Sequence, residues 1–267
     1  MFYLRLLAAL LGFVAASAYG LCIALFRRDR WSASSDYATV LARLMLPPLG
    51  IRLEIRNEAG LYAPRPCVYA GNHQSVLDVP ILAACFKRGS VIIAKREVGS
   101  IPLFGWIYRA TGNLLIDRSD TGQAVGMLKV AEGAIRERNA AVWIFPEGTR
   151  GPGDGLLLPF KKGAFRIAVE TGAPLVPVVI SPLRPDFDIG ARRLTPGRVI
   201  VQVLEPVHAT DAGEEGLVAL IELVHARMEA ALHALGVEVG RLPAGGPHPT
   251  GPRYTSARPS LRAATPD

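Results

Sequence analysis

The chain has 267 residues, of which 50% are hydrophobic and 20% charged, with 27 Gly, 21 Pro and a formal net charge of +7. That length and apolar fraction support a sizeable core in one large or two small domains and exclude a wholly disordered chain, while the charged fraction excludes a polytopic bundle in which most residues face lipid. The basic excess calls for a partner of opposite sign, and nucleic acid, anionic lipid and phosphorylated substrates all qualify.

At the N-terminus, Leu6 to Phe26 carries no charged residue. At about 1.5 Å per helical residue this run reaches about 30 Å, the thickness of a bilayer core. Arg27-Arg28-Asp29-Arg30-Trp31 follows directly. Such a cluster suits a helix leaving the membrane on the cytoplasmic side. Two other readings compete. One is a cleaved secretory signal, since Ala16-Ser17-Ala18 fits a small-x-small site, although the apolar run continues past it. The other is a buried core helix. A second apolar stretch, Tyr37 to Leu49, is too short to span but suits a helix lying in the membrane interface and ended by Pro47-Pro48. Residues 1–50 are therefore read as a membrane anchor, with the rest of the chain on the cytoplasmic face.

From Ile51 onward, short runs rich in Val, Ile and Leu alternate with longer helical patterns. Strands are expected at 51–56, 67–70, 91–94, 114–116, 141–145, 175–180 and 199–204, and helices near 79–86, 120–138, 162–171 and 214–235. Strands without polar alternation belong to sheets covered on both faces. The fold class is α/β, a mainly parallel sheet flanked by helices, over residues 51–235. The stretch 236–267 is rich in Gly and Pro with scattered Arg, lacks apolar periodicity, and reads as a disordered tail able to touch anionic lipid. Cys22, Cys67 and Cys85 sit in apolar runs without ligand spacing, so neither a disulfide framework nor a zinc site is indicated.

Four segments at strand or turn boundaries carry chemistry. In Asn72-His73-Gln74-Ser75-Val76-Leu77-Asp78, a His and an Asp five apart lie about 140° apart on one helix, so they meet only if His73 occupies a strand-to-helix turn. There Asp78 can hold the Nδ1 proton and leave Nε2 as a base. A lone surface or capping His is the bland alternative. Gly112-Asn113-Leu114-Leu115-Ile116-Asp117-Arg118 ends a strand in a guanidinium at the sheet rim, where open α/β folds bind ligands; a surface ion pair would read alike. Phe145-Pro146-Glu147-Gly148-Thr149-Arg150 places Glu147 and Arg150 in a Pro/Gly turn, and Arg suits bidentate contact with phosphate. Lys161 and Lys162 open a helix, where cations oppose the dipole by about 0.3–1 kcal/mol unless an anion lies between them.

Taken together, NHQSVLD, GNLLIDR, FPEGTR and Val176-Pro177-Val178-Val179-Ile180 resemble, in order and spacing, the 1-acyl-sn-glycerol-3-phosphate acyltransferase family of glycerolipid acyltransferases over about residues 50–210. The resemblance implies transfer of a fatty acyl group from an acyl-CoA or acyl-carrier protein co-substrate to the sn-2 hydroxyl of lysophosphatidic acid, with no cofactor. It also implies His73 as general base oriented by Asp78. Arg118, Glu147 and Arg150 would hold the glycerol phosphate, Gly148 and Thr149 would shape the turn, and Lys161 would add a phosphate-binding cation. The expected partners are a membrane lipid acceptor, an acyl thioester donor and an anionic membrane surface. Nucleic acid is not among them, because the cations lack an interleaved aromatic platform. Other lysolipid acceptors such as lyso-ornithine lipid, and a membrane-anchored thioester or ester hydrolase, remain as alternatives.

Overall fold

The structure, a computed structural model, describes residues 1–26, 30–62, 65–101, 104–111, 113–116, 122–210 and 216–244. Arg118, the basic cluster at Arg27 to Asp29, and the tail from 245 onward lie outside the described residues.

The first helix, α1 (Phe2–Phe26), is long and apolar enough to cross a membrane. Its buried residues are small: Ala9, Ala16, Ser17 and Gly20. They face α2 (Arg30–Leu49), and the approach is close because a Cβ on Gly12 would lie 2.6 Å from the Leu44 carbonyl oxygen, and one on Gly20 2.6 Å from the Tyr37 ring. Small residues permit this backbone contact and leave Leu4, Leu7, Leu10 and Leu11 exposed as a lipid-suited face. By contrast, α2 buries Tyr37, Leu41, Leu46 and Leu49 in the protein core. Its apolar face is thus turned to the protein, where the sequence pattern pointed to the membrane interface. The helix also begins seven residues earlier than its apolar run, through polar residues with no periodic signal, and carries Pro47 and Pro48 in its last turn. Gly50, at φ +81°, then swings the chain into the sheet.

The remaining elements are β1 (Ile51–Arg56), β2 (Cys67–Gly71), α3 (Asp78–Ala83), β3 (Ser90–Lys95), α4 (Phe104–Ala110), β4 (Leu114–Ile116), α5 (Gly122–Arg138), β5 (Ala141–Ile144), α6 (Gly163–Thr171), β6 (Leu175–Ile180), β7 (Phe187–Asp188), β8 (Arg193–Leu194), β9 (Gly197–Val203) and α7 (Leu217–Glu238). Seven strands form one sheet in the order β1-β9-β6-β2-β5-β3-β4, parallel throughout except for the β6–β9 pair. Its two faces meet different helices. Cys67 and Tyr69 point with Trp143, Val176 and Val178 into a core shared with α1, α2 and α3. Val68 and Ala70 point with Val142 and Val179 into a core closed by α5, α6 and α7. Burial on both sides is why β2 and β6 are apolar at nearly every position.

Two short elements have no counterpart in the sequence pattern: α4, whose segment is interrupted by Gly and Pro, and the two-residue β7–β8 hairpin. The chain also stays ordered past the expected limit at 235. Helix α7 runs to Glu238, and the amides of Arg241 and Leu242 donate to the Gly236 carbonyl at 2.9 and 3.0 Å. Arg241 Nε pairs with Asp186 at 2.8 Å. One ion pair and one leucine anchor this stretch, and neither leaves a periodic signature.

Candidate active site

The β2 and β5 strands are parallel neighbours, so the turns leaving their C-terminal ends lie side by side at the rim where open α/β sheets bind ligands. One turn carries His73 and the other Glu147. His73 lies in the strand-to-helix turn between β2 and α3, as its spacing from Asp78 requires.

Asp78 is wholly buried at the first position of α3, and its Oδ2 gathers three donors. The amides of Gln74 and Ser75 donate to it at 2.7 and 2.9 Å, and His73 Nδ1 lies 2.7 Å away. An acceptor already bonded by two amides fixes Nδ1 as the protonated ring nitrogen, which leaves Nε2 with its lone pair. The ring is held flat by stacking on Phe145, with centroids 4.2 Å apart and planes 18° apart.

Glu147 does something other than the sequence analysis expected. It is 3% exposed, and both of its oxygens accept backbone hydrogen bonds: from His73 N–H at 2.7 Å and from Leu158 N–H at 3.0 Å. A buried carboxylate occupied in this way ties three segments together. Gly151 N–H closes the same knot by donating to the His73 carbonyl at 2.8 Å. Burial pushes the Glu147 carboxyl up to about 7, against the opposing pull of the two amides.

Asn72 and Gln74, named only as motif letters in the sequence, extend the knot to β6. Asn72 is buried, donates to the Ile180 carbonyl at 3.0 Å and accepts from the Ile180 amide at 2.7 Å. Gln74 Nε2 donates to Ile180 and Ser181 carbonyls, and its Oε1 accepts from the Leu183 amide. These side chains complete backbone groups where the β2–β6 ladder stops.

His73 opens into a cavity of about 510 Å³. Its walls include Tyr37 and Leu41 of α2, Leu82 and Phe86, Tyr108 of α4, and Trp143 of β5. Thr149 and Arg150 are exposed at its edge. Gly148 has φ +69°, and a Cβ there would come within 2.8 Å of Lys161 Nζ, so the exposed Lys161 side chain lies over the turn. The structure therefore gathers His73, Asp78, Gly148, Thr149, Arg150 and Lys161 at one rim. Arg118 follows β4, two strands away from β5, and lies outside the described residues. Among the described residues no group of three or more His, Cys, Asp or Glu side chains could hold a metal ion.

A family model described as acyltransferase matches residues 52–181. Over 246 residues the chain is 31% identical to the 1-acyl-sn-glycerol-3-phosphate acyltransferase of Salmonella typhimurium, covering 92% of this chain and 99% of that one. The chain belongs to the 1-acyl-sn-glycerol-3-phosphate acyltransferase family. Family membership extends beyond bacteria, since the human beta form is 39% identical over 180 residues, 67% of this chain and 64% of its own. The fold agrees as well. The crystal structure of the 1-acyl-sn-glycerophosphate (LPA) acyltransferase from Thermotoga maritima superposes with a TM-score of 0.69 at 26% identity, covering 88% of this chain and 98% of that chain. Both of the bacterial comparisons cover most of this chain, 92% and 88%, and so reach well beyond the motif segments.

Proposed function

We propose that the chain transfers a fatty acyl group from a thioester to the free sn-2 hydroxyl of lysophosphatidic acid, giving phosphatidic acid. The observation that carries this reading is the His73–Asp78 pair at the mouth of a cavity with apolar walls, in a chain related along nearly its whole length to enzymes named for that reaction. His73 Nε2 takes the hydroxyl proton as the oxygen attacks the thioester carbonyl carbon. The carbon–sulfur bond then breaks, and the imidazolium returns the proton to the departing thiolate. No acyl-enzyme is needed, and the cysteines agree: Cys67 and Cys85 are buried thiols whose burial pushes them up to about 11 and about 12, away from thiolate chemistry.

Arg150 and Lys161 supply cations for the acceptor phosphate, Gly148 and Thr149 shape the turn between them, and Arg118 is the further phosphate-binding cation that the motif implies. The donor is acyl-CoA or acyl-carrier protein, with no cofactor. The exposed leucines of α1 suit a lipid environment, and an anionic surface suits the net charge of +7. The basic run after Phe26 supports a catalytic domain on the cytoplasmic face.

The test supplies membranes containing the protein with a labelled acyl thioester, with and without lysophosphatidic acid. Labelled phosphatidic acid formed only with the acceptor supports the reading. Labelled free fatty acid released equally without it identifies a hydrolase, and label carried only to another lysolipid moves the acceptor.

A further inference from the structure

On the far side of the His73 turn lies a second cavity, a groove of about 360 Å³ formed by residues 74–76, 150–153, 183–184 and 187–190. It shares Val76 and Arg150 with the first cavity, so the two meet beside His73. Their walls differ in degree. The first is closed mostly by side chains such as Leu82, Phe86 and Trp143, whereas the second sets the polar Gln74, Ser75, Arg150, Arg184 and Asp188, with three glycines, among the apolar Val76, Leu183, Phe187 and Ile189. Among the described residues, neither α1 nor α2 contributes to the groove.

An acyl thioester has the same division. On one side of its carbonyl runs a hydrocarbon chain, and on the other a narrow arm of amides ending in phosphate. With the carbonyl at His73 and the chain in the apolar cavity, the arm must leave by a polar path away from the lipid-facing helices. We propose that this groove holds the phosphopantetheine arm of the acyl donor, with Arg184 as its phosphate-binding cation; the inference rests on the acyl-transfer reading above.

The groove is built for a linear guest. Glycines at 151, 153 and 190 keep its walls low, and the Gly153 carbonyl accepts the Arg184 amide at 2.9 Å, locking two walls together. Arg184 is half exposed, and its Nε pairs with Asp188 at 2.8 Å, which orients the guanidinium. Arg150, shared by the two cavities, is taken by the acceptor phosphate, which leaves Arg184 as the cation of the groove for an anionic arm. Phosphate prefers the planar fork of Arg for this contact.

The same arm is carried by coenzyme A and by acyl-carrier protein, and parallel assays with acyl-CoA and acyl-carrier protein separate the two sources. Arg184→Gln raises the donor KM by about tenfold, the size of one charge-assisted contact, for whichever donor is used. The KM for lysophosphatidic acid holds, and an acyl-pantetheine without phosphate shows no difference between variant and wild type. Gly190→Tyr, at an exposed position without a positive φ, raises the donor KM by filling the groove. Independently of any acceptor, coenzyme A titrated into the full chain in detergent binds more weakly to both variants. Failure of the acyl-transfer reading would show as no acylated lysolipid from wild type, which leaves this binding experiment standing. Equal coenzyme A binding by wild type and both variants, or a rise confined to the KM for lysophosphatidic acid, overturns the proposal.

Discussion

Residues 72–78 and 145–151 meet through buried carboxylates and backbone amides, whereas α1 and α2 meet mainly through Gly12, Ala16 and Gly20, with one long contact at their ends from the Arg5 guanidinium to the Pro48 carbonyl at 3.4 Å. The first region is held by directional contacts whose loss leaves a donor unpaired; the second is held by close packing that a methyl group would disturb. Both bound the same cavity, since Tyr37 of α2 and His73 of the turn line it together. The difference teaches where precision is needed. Proton transfer requires Nε2 at a fixed angle, while a hydrocarbon chain needs only room.

The comparison breaks if the directional side tolerates change. The largest effect is expected from Asp78→Asn, in which the amide can turn a donor toward Nδ1 and invert the tautomer. Turnover should fall by about 10³-fold or more with little change in either KM. A loss of less than about tenfold in kcat would show that orientation is not what Asp78 supplies.

Next comes Glu147→Gln. Its amide nitrogen must face either His73 N–H or Leu158 N–H, leaving one buried donor without an acceptor at a cost of about 1–3 kcal/mol. Thermal melts in detergent should record that loss, and turnover should drop because the His73 backbone is released. The same variant has a pH signature. Because burial raises the Glu147 carboxyl from 4.5 to about 7, the folded chain binds this proton more tightly than the unfolded chain does. Its contribution to stability is therefore present at acid pH and declines as pH rises from about 4.5 through about 7. Melts across that window should slope less in Glu147→Gln than in wild type; an equal slope would place the titrating group elsewhere.

The smallest catalytic effect is expected on the packing side. Gly12→Ala sets a methyl group against the Leu44 carbonyl and should destabilise the helix pair by about 1–3 kcal/mol. Turnover in intact membranes should stay within a few-fold of wild type, since no directional contact to His73 is touched. A loss matching that of Asp78→Asn would mean that the helix pair also sets the geometry of the base.

The elements that sequence made legible are those whose signal is local. Apolar runs marked β2, β5 and β6 within a residue, because strands buried on both faces need no polar alternation. The five-residue step from His73 to Asp78 already required a turn, and the structure has one. The role of Glu147 was not legible, since its partners at 73 and 158 are distant in sequence and are backbone atoms that carry no residue signature. The same holds for Asn72, whose amide completes a ladder with Ile180. Helix α4 escaped because its Gly- and Pro-broken segment has no helical period, yet it contributes Tyr108 to the cavity. The polar first half of α2 escaped for the same reason.

The central claim is that His73 Nε2 is the base for acyl transfer, and the most direct measurement compares phosphatidic acid formation by wild type and His73→Ala in matched membranes, with folding checked by thermal melt. The account predicts product from wild type and a fall of about 10²–10⁴-fold in the variant at an unchanged melting temperature. Equal rates from the two would contradict it.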